Sequence, residues 1–129
     1  MTVIVCVEDS LGMLFNNRRV SRDVVVTNKI KELCGGKLKI CDFSKVLFED
    51  AFTDNNFLEN ATDDDFCFVE NRPLLPYFDK TEKLIIFKWN RRYPSDFSLD
   101  LDLSRFKLVE TDEFAGNSHE KITMEVYEK

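Results

Sequence analysis

The carboxyl-terminal third of the chain constrains the fold more than any other part. Residues 83–89 form an apolar run that predicts a strand, and two more strands are predicted at 106–111 and 120–127. In the last of these, apolar and polar residues alternate with the period of two that is typical of a strand with one buried face. The short turn between the last two strands predicts an antiparallel hairpin. A chain that closes on such a hairpin is not an ordinary doubly wound α/β domain.

The rest of the chain predicts alternating strands and helices. Apolar runs at 3–7, 37–41 and 65–69 are typical of strands buried on both faces. A first helix is predicted over about 22–34, with glycines just after it, and shorter helices are predicted near 44–48, 55–60 and 71–78. The polar segment 8–20 is expected to be a long ordered loop. These elements predict one α/β domain over residues 1–129, with a single mixed β-sheet flanked by helices and a carboxyl-terminal antiparallel hairpin.

Composition and charge exclude several classes of protein. The net charge is −6, which disfavours generic binding to nucleic acid, because a nucleic-acid footprint is basic. No apolar run is long enough to cross a membrane, and the four cysteines show no CxxC spacing. We therefore expect a cytoplasmic protein with reduced thiols and no membrane partner. The twelve phenylalanines are expected to fill a small core.

Several short segments of this chain resemble those of dihydrofolate reductases. The segments are, in chain order, Val3–Val7, Gly12-Met13, Ser21-Arg22-Asp23, Leu74-Leu75-Pro76, 82–86, Asn117-Ser118-His119 and Glu125–Lys129. They follow the order of that family's first strand, mobile loop, first helix and final hairpin. The resemblance implies a shortened dihydrofolate reductase-like fold. It also implies that Asp23 lies where the family keeps the acid that holds the pterin ring, so Asp23 is the candidate catalytic residue. The alternative is that this carboxylate serves only the dipole of the first helix.

The chain departs from the family at the positions that bind the cofactor. Glu70-Asn71-Arg72 follow the third predicted strand, where the family has adjacent glycines. A carboxylate and bulky side chains would oppose the close approach of a pyrophosphate. The family's Gly-Arg after the second strand is replaced by Asp42-Phe43-Ser44, and the mobile loop lacks its Pro-Trp pair. We therefore expect no NADPH binding in the family's manner, and no other cofactor.

Arginines are concentrated in two loops of this otherwise acidic chain. The resemblance places both loops, together with the final hairpin turn, at one rim of the cleft. The resulting ligand-binding candidates are Asn16, Asn17, Arg18, Arg19, Arg22, Asn90, Arg91, Arg92, Asn117, Ser118 and His119. Arginine presents planar donors that suit phosphate or carboxylate, so the expected partner is an anionic small molecule or an acidic protein surface. The alternative is that the arginines pair with the chain's own surface carboxylates.

His119 is the single histidine, and it is expected to lie exposed in the hairpin turn, without the setting of a general base. No metal site is expected, because the acidic runs at 63–65 and at 100 and 102 lack the spacing of a calcium loop. Three functions stay open at this point. The chain is a binding protein on a reductase-like scaffold, a divergent enzyme that uses Asp23 on a pterin- or nucleotide-like substrate, or a small inhibitor or regulator of another protein.

Overall fold

The computed structural model describes the whole chain, Met1–Lys129. Its strands are, in chain order, β1 (Thr2–Val7), β2 (Gly12–Phe15), β3 (Arg18–Arg19), β4 (Leu38–Ile40), β5 (Phe52–Thr53), β6 (Phe66–Phe68), β7 (Lys83–Lys88), β8 (Phe97–Ser98), β9 (Lys107–Phe114) and β10 (Ile122–Glu128). Its α-helices are α1 (Val24–Cys34) and α2 (Phe57–Asn60), and short 3₁₀ turns lie at Gly35–Lys37, Asp42–Ser44, Leu75–Lys80 and Leu103–Arg105.

Seven of the strands form one mixed sheet in the order β5-β4-β6-β1-β7-β10-β9. The first five strands in this order run parallel to one another. Strand β10 is antiparallel to both β7 and β9. The predicted mixed sheet and its carboxyl-terminal hairpin are therefore confirmed. The carboxyl ends of β1, β6 and β7 meet at one edge, which is where α/β sheets of this kind bind their ligands.

A second sheet, of three short strands in the order β3-β2-β8, replaces the long loop expected over residues 8–20. Asn16 and Asn17 form the turn between β2 and β3, with φ of 50° and 62°. Asparagine tolerates this left-handed conformation, which two-residue hairpin turns require at both central positions. The prediction of a loop was wrong because it did not treat the Asn16-Asn17 pair as the signal of a two-residue hairpin turn.

Helix α1 begins at Val24, slightly later than predicted, because Asp23 is its N-cap residue. Asp23 has an extended backbone, with φ of −154°, and its side chain accepts a hydrogen bond from the N–H of Val25. The helix ends at Gly35, whose φ of 56° favours glycine. The other predicted helices shrink to α2 and to 3₁₀ turns. In the turn Leu75–Lys80, Pro76 lies at the start and has no N–H to extend a helix.

The core lies on both faces of the central strand. Val3, Val5 and Val7 of β1 pack on one side, whereas Ile4 packs on the other with α1, which contributes its buried face. The alternation explains why β1 reads as a continuous apolar run. Some of the phenylalanines lie in this core, as Phe48 and Phe68 do with their rings edge to face. Others do not, since Phe52 is 57% exposed.

Strand β9 is the outer strand of the main sheet, and every residue of β9 except Phe114 is exposed.

All four cysteines are free thiols. Burial raises the pKa of Cys34 to about 12 and that of Cys67 to about 11, so both stay protonated at neutral pH. None of the helices has the length and apolar character needed to span a bilayer.

Candidate functional site

The Asp23 carboxylate at the start of α1 is enclosed by the loop between β9 and β10. Its Oδ1 accepts hydrogen bonds from the N–H groups of Val25 (2.9 Å) and Asn117 (3.0 Å). Its Oδ2 accepts from the Ser118 N–H (2.9 Å), the Ser118 hydroxyl (3.2 Å) and Nδ1 of His119 (2.9 Å). A carboxylate offers about four lone-pair sites, and five donors already surround this one. Asp23, which is 4% exposed, therefore has no free oxygen with which to hold a ligand.

These hydrogen bonds determine the charge state of Asp23. Burial alone would raise the pKa of this carboxyl group, because it disfavours the ionised form. The N–H of Asn117, the ring of His119 and the N–H groups of Ser118 and Val25 more than offset burial, and they hold the pKa well below its usual range. Asp23 is therefore ionised at neutral pH and fixed in position.

His119 is buried, which corrects the expectation of an exposed turn residue. It is 4% exposed, and its ring stacks on the indole of Trp89 with centroids 4.6 Å apart. Its Nδ1 faces the ionised Asp23, which can only accept, so Nδ1 carries a proton and donates it. Its Nε2 lies 2.9 Å from Oγ of Ser21 and 3.2 Å from the Tyr93 hydroxyl. The result is a continuous hydrogen-bonded row from Ser21 through His119 to Asp23.

We call Ser21, Asp23, Trp89, Tyr93 and His119 the His119 cluster. Its members come from the start of α1, the loop after β7 and the loop before β10, and Ser21 and His119 are 98 positions apart. Sequence reasoning missed Ser21, Trp89 and Tyr93 as site residues. The available signal was a lone histidine together with a serine two positions before an N-cap aspartate.

A small cavity lies beneath the His119 cluster at the edge where β1, β6 and β7 end. Its volume is about 20 Å³, roughly the room for one water molecule. The walls include Ser21, Val26, Phe68 and Trp89. The indole Nε1 of Trp89 is buried and has no hydrogen-bond acceptor. The residues around the cavity thus supply a hydroxyl, an unpartnered N–H donor and several apolar side chains, together with the carboxylates of Asp23 and Glu70.

Arg19 and Glu70 close the same edge of the sheet. Nε and Nη2 of Arg19 donate to the two carboxylate oxygens of Glu70 at 3.0 and 2.8 Å. Nη2 also donates to the carbonyl oxygen of Phe43 at 3.0 Å, and the guanidinium lies over the Phe43 ring. Beneath this pair, burial and then the charge of Glu70 raise the pKa of the Cys6 thiol. Arg19 is thus taken up by an internal carboxylate, which is the alternative that the sequence left open for the arginines.

The other four candidate arginines, Arg18, Arg22, Arg91 and Arg92, are exposed. The guanidinium groups of Arg18, Arg22 and Arg92 make no ion pair or hydrogen bond within the chain. Arg91 donates from Nη2 to the carbonyl oxygen of Ser118 at 3.4 Å. The hydroxyl of Ser118 in turn donates to the carbonyl oxygen of Arg22, also at 3.4 Å. The loops that carry Arg22 and Arg91 therefore meet at Ser118.

The β2–β3 hairpin, which carries Arg18, is tied to the loop after β7. The N–H of Asn16 donates to the Asp96 carboxylate at 3.1 Å. We call Arg18, Arg22, Arg91 and Arg92 the exposed arginine set.

Comparison with known proteins identifies the fold. Neither a protein-family model nor a curated protein sequence matches the chain. Among solved structures, it is similar to the dihydrofolate reductase of Enterococcus faecalis in its complex with NADP(H) and RAB-propyl. The TM-score is 0.72 at 10% sequence identity, over 98% of this chain and 94% of that chain. The fold is that of dihydrofolate reductase. At this identity the likeness is one of fold, and an activity does not follow from it.

Within the dihydrofolate reductase fold, the remaining sequence candidates have mainly local roles. Asn90 donates from Nδ2 to the carbonyl oxygen of Lys121 (3.2 Å) and to the hydroxyl of Thr123 (2.9 Å), so it ties the loop after β7 to β10. Asn16 and Asn17 form the β2–β3 turn. No three His, Cys, Asp or Glu side chains converge in a way that would hold a metal ion.

Proposed function

We infer that this chain is a binding domain on a dihydrofolate reductase fold, which engages an anionic group through its exposed arginine set. The observation that carries this inference is the set of unpaired guanidinium groups on Arg18, Arg22 and Arg92. The chain contains 24 acidic residues against 18 lysines and arginines, so carboxylates to pair with are abundant. Arginines left unpaired in such a chain are available to a charge supplied from outside.

The groups that the fold family uses do not fit this chain. A pyrophosphate needs bare backbone N–H groups, whereas the buried Glu70 presents a carboxylate at the corresponding edge, already bonded to Arg19. A pterin needs an aspartate with free oxygens and a cleft of several hundred Å³. Asp23 has no free oxygen, and the cavity beside it measures about 20 Å³. Reduction of a folate by NADPH is therefore not the function that these residues support.

An open depression beside Arg22 is the best place for the anion. It has a volume of about 270 Å³, and Arg22 is the only arginine in its walls, which also include Asp23, Thr27, Asn117 and Ser118. It lies at the amino-terminal end of α1, where Asp23 already places a carboxylate, so the anion would bind at the Arg22 guanidinium and not at the helix end itself. Each desolvated, charge-assisted hydrogen bond to a phosphate or carboxylate contributes about 1.5–3 kcal/mol. The shared chemistry is thus a phosphate or carboxylate, carried by a nucleotide, another small molecule or an acidic protein segment.

An NMR titration of the labelled chain tests the proposal. The probes are a nucleoside monophosphate, the matching uncharged nucleoside and a glutamate-rich peptide. We expect amide shifts near residues 18, 22, 91, 92, 117 and 118 with the charged probes only, and we expect them to weaken at high salt. Preference for the nucleotide or for the peptide separates a small-molecule binder from a protein-binding regulator. Equal shifts with the uncharged nucleoside, or shifts spread over every surface lysine and arginine, would contradict the proposal.

A further inference from the structure

We propose that Ser21, His119 and Asp23 form a nucleophilic site that hydrolyses esters of very small carboxylic acids. Oγ of Ser21 lies 2.9 Å from Nε2 of His119, and Nδ1 of the same ring lies 2.9 Å from Oδ2 of Asp23. This is the connectivity of an activated serine: a hydroxyl, a base within hydrogen-bond distance and a carboxylate that orients the base. The proposal is independent of the exposed arginine set.

The surroundings of His119 suit a general base. The ionised Asp23 accepts the Nδ1 proton, which leaves the lone pair of Nε2 directed toward Ser21 and Tyr93. Trp89 stacks on the ring at 4.6 Å and restricts its rotation. Asp23 is itself held by backbone N–H groups on two sides, so the carboxylate is a rigid support. Asp23 is thus a positioning residue, and Ser21 and His119 are the catalytic residues.

Trp89 supplies a second, independent observation. Its Nε1–H is buried without an acceptor, and the indole lines the same cavity as Ser21. Attack on an ester carbonyl creates a negatively charged oxygen, which needs a fixed donor in a water-poor setting. Trp89 carries an unpartnered indole N–H and lines the same cavity as Ser21, so it is the candidate for such a donor. We therefore assign Trp89 the role of stabilising this oxygen.

The cavity limits the substrate. Its volume of about 20 Å³, the room for one water molecule, can receive the carbonyl oxygen of an ester but not its acyl chain, so the acyl group must be small enough to stay at the half-buried Ser21. The alcohol part of the ester would extend toward solvent, because Ser21 is only partly buried. The substrate class is therefore a formyl or acetyl ester.

The reaction balances without any further reagent. Oγ of Ser21 bonds to the acyl carbon while its proton passes to Nε2 of His119. The ester C–O bond then breaks, and the leaving alcohol takes that proton. A water molecule attacks the acyl-serine and gives a proton to Nε2. Finally the Ser21–acyl bond breaks, Oγ recovers the proton, and the carboxylic acid departs.

Acetyl transfer from p-nitrophenyl acetate tests the proposal on the intact chain. The unmodified protein is mixed with the ester, quenched in acid and mapped by mass spectrometry. We expect an acetyl group on Ser21, and hydrolysis of the acetate at least about tenfold faster than of the butyrate. The change Ser21→Ala should abolish the adduct, whereas the control Ser98→Ala, at an exposed serine of β8, should leave it unchanged. Trp89→Phe keeps an aromatic ring beside His119, and it should slow hydrolysis about 100-fold.

A purely structural role predicts the opposite results. If the row from Ser21 to Asp23 serves only to hold the hairpin loop against α1, the unmodified protein gives no acetyl-Ser21. That result overturns the proposal, and it requires no variant to fold. A folded Ser21→Ala protein that hydrolyses the acetate at the wild-type rate overturns it as well. An unchanged rate in Trp89→Phe removes Trp89 from the site.

Discussion

Gly116 lies so close to Asp23 that no larger residue fits between the hairpin loop and α1. A Cβ atom on Gly116 would lie 2.6 Å from Oδ2 of Asp23 and 2.6 Å from Cδ1 of Ile122. The N–H of Gly116 also donates to the carbonyl oxygen of His119 at 2.9 Å, which closes the loop around the carboxylate. This close approach lets the loop bring its N–H groups onto Asp23.

Replacing Gly116 by Ala should therefore destabilise the protein by about 1–3 kcal/mol, the usual cost of overpacking a tight site. The matched control is Gly36→Ala, because a Cβ there meets nothing within 4 Å. Gly36→Ala should be neutral or stabilise by up to about 1 kcal/mol, since alanine restricts the unfolded chain. Urea denaturation followed by circular dichroism measures both variants. Equal losses of stability would show that the crowding at Gly116 has no energetic effect.

Asp23 should make the free energy of unfolding depend on pH in the acid range. Its pKa is about 3.9 in an unfolded chain and lower in the folded state, so as the pH falls the unfolded state binds the proton first. The contribution of Asp23 is complete above about pH 5 and is lost progressively as the pH falls below about 4 toward the folded-state pKa. Asp23→Asn should therefore be much less stable than the wild type at pH 7, and the difference should shrink at pH 3.

Urea denaturation at pH 7, 5 and 3 gives this difference directly. The control is Asp63→Asn, which changes an exposed carboxylate that makes no hydrogen bond or ion pair within the chain. A difference for Asp23→Asn that does not change with pH would contradict the assignment of a lowered pKa.

The pair of Arg19 and Glu70 should behave as a unit. Arg19→Met leaves a nearly buried carboxylate without its partner, and breaking such a pair costs about 3–5 kcal/mol. The double variant Arg19→Met, Glu70→Met removes both charges and should recover most of this loss. A double-mutant cycle, with free energies of unfolding from urea titrations, measures the coupling. Additive effects of the two single changes would mean that the bidentate contact does not form in solution.

NADPH should not bind in the manner of the reductases that share this fold. Glu70, Asn71 and Arg72 occupy the positions expected to face the pyrophosphate, and Arg72 donates to the carbonyl oxygen of Asn55 at 2.7 Å. Isothermal titration calorimetry should therefore show at most weak binding through the NADPH phosphates, with a dissociation constant above the micromolar range. A dissociation constant in the micromolar range or below would overturn this prediction.

Removal of two exposed arginines should weaken binding without affecting folding. The double change Arg18→Ala, Arg91→Ala should reduce affinity for the charged probe by well over tenfold, because each lost contact is worth about 1.5–3 kcal/mol. Stability should change little, since surface charges of this kind contribute about 0–1 kcal/mol. The control is Arg105→Ala, an arginine that lies over Phe78 instead. Loss of stability without loss of affinity would assign the two arginines a structural role.

The main sheet could be predicted from the sequence because most of its long strands have a local pattern of apolar residues. Thr2–Val7 and Lys83–Lys88 are apolar runs, and Ile122–Glu128 alternates with a period of two. Helix α1 could be predicted from the spacing of its apolar residues and from the glycines at its end. The strands Gly12–Phe15 and Phe97–Ser98 are short and lie far apart in sequence, so no local pattern predicted their pairing.

The His119 cluster could not be predicted from the sequence, because its members lie far apart in the chain. Hydrogen bonds join Ser21 to His119 across 98 positions and Tyr93 to His119 across 26. A histidine in a hairpin turn is usually exposed. This one is buried because the fold places Trp89 against its ring and Asp23 at its Nδ1. Likewise, Arg19 was expected to bind a ligand and Glu70 to oppose a pyrophosphate, and no local pattern predicted their pairing because they lie 51 positions apart.

The order of strands in the main sheet has a consequence for synthesis of the chain. Strand β1 precedes both of its partners in the chain, because it pairs only with β6 and β7, which begin at Phe66 and Lys83. The hairpin of β9 and β10, by contrast, needs only its own turn. Contacts between distant segments close slowly, because the intervening chain must be ordered first. A nascent chain therefore carries β1 as an unpaired apolar strand until β6 and β7 have been translated, and β1 is where chaperone binding or aggregation would begin.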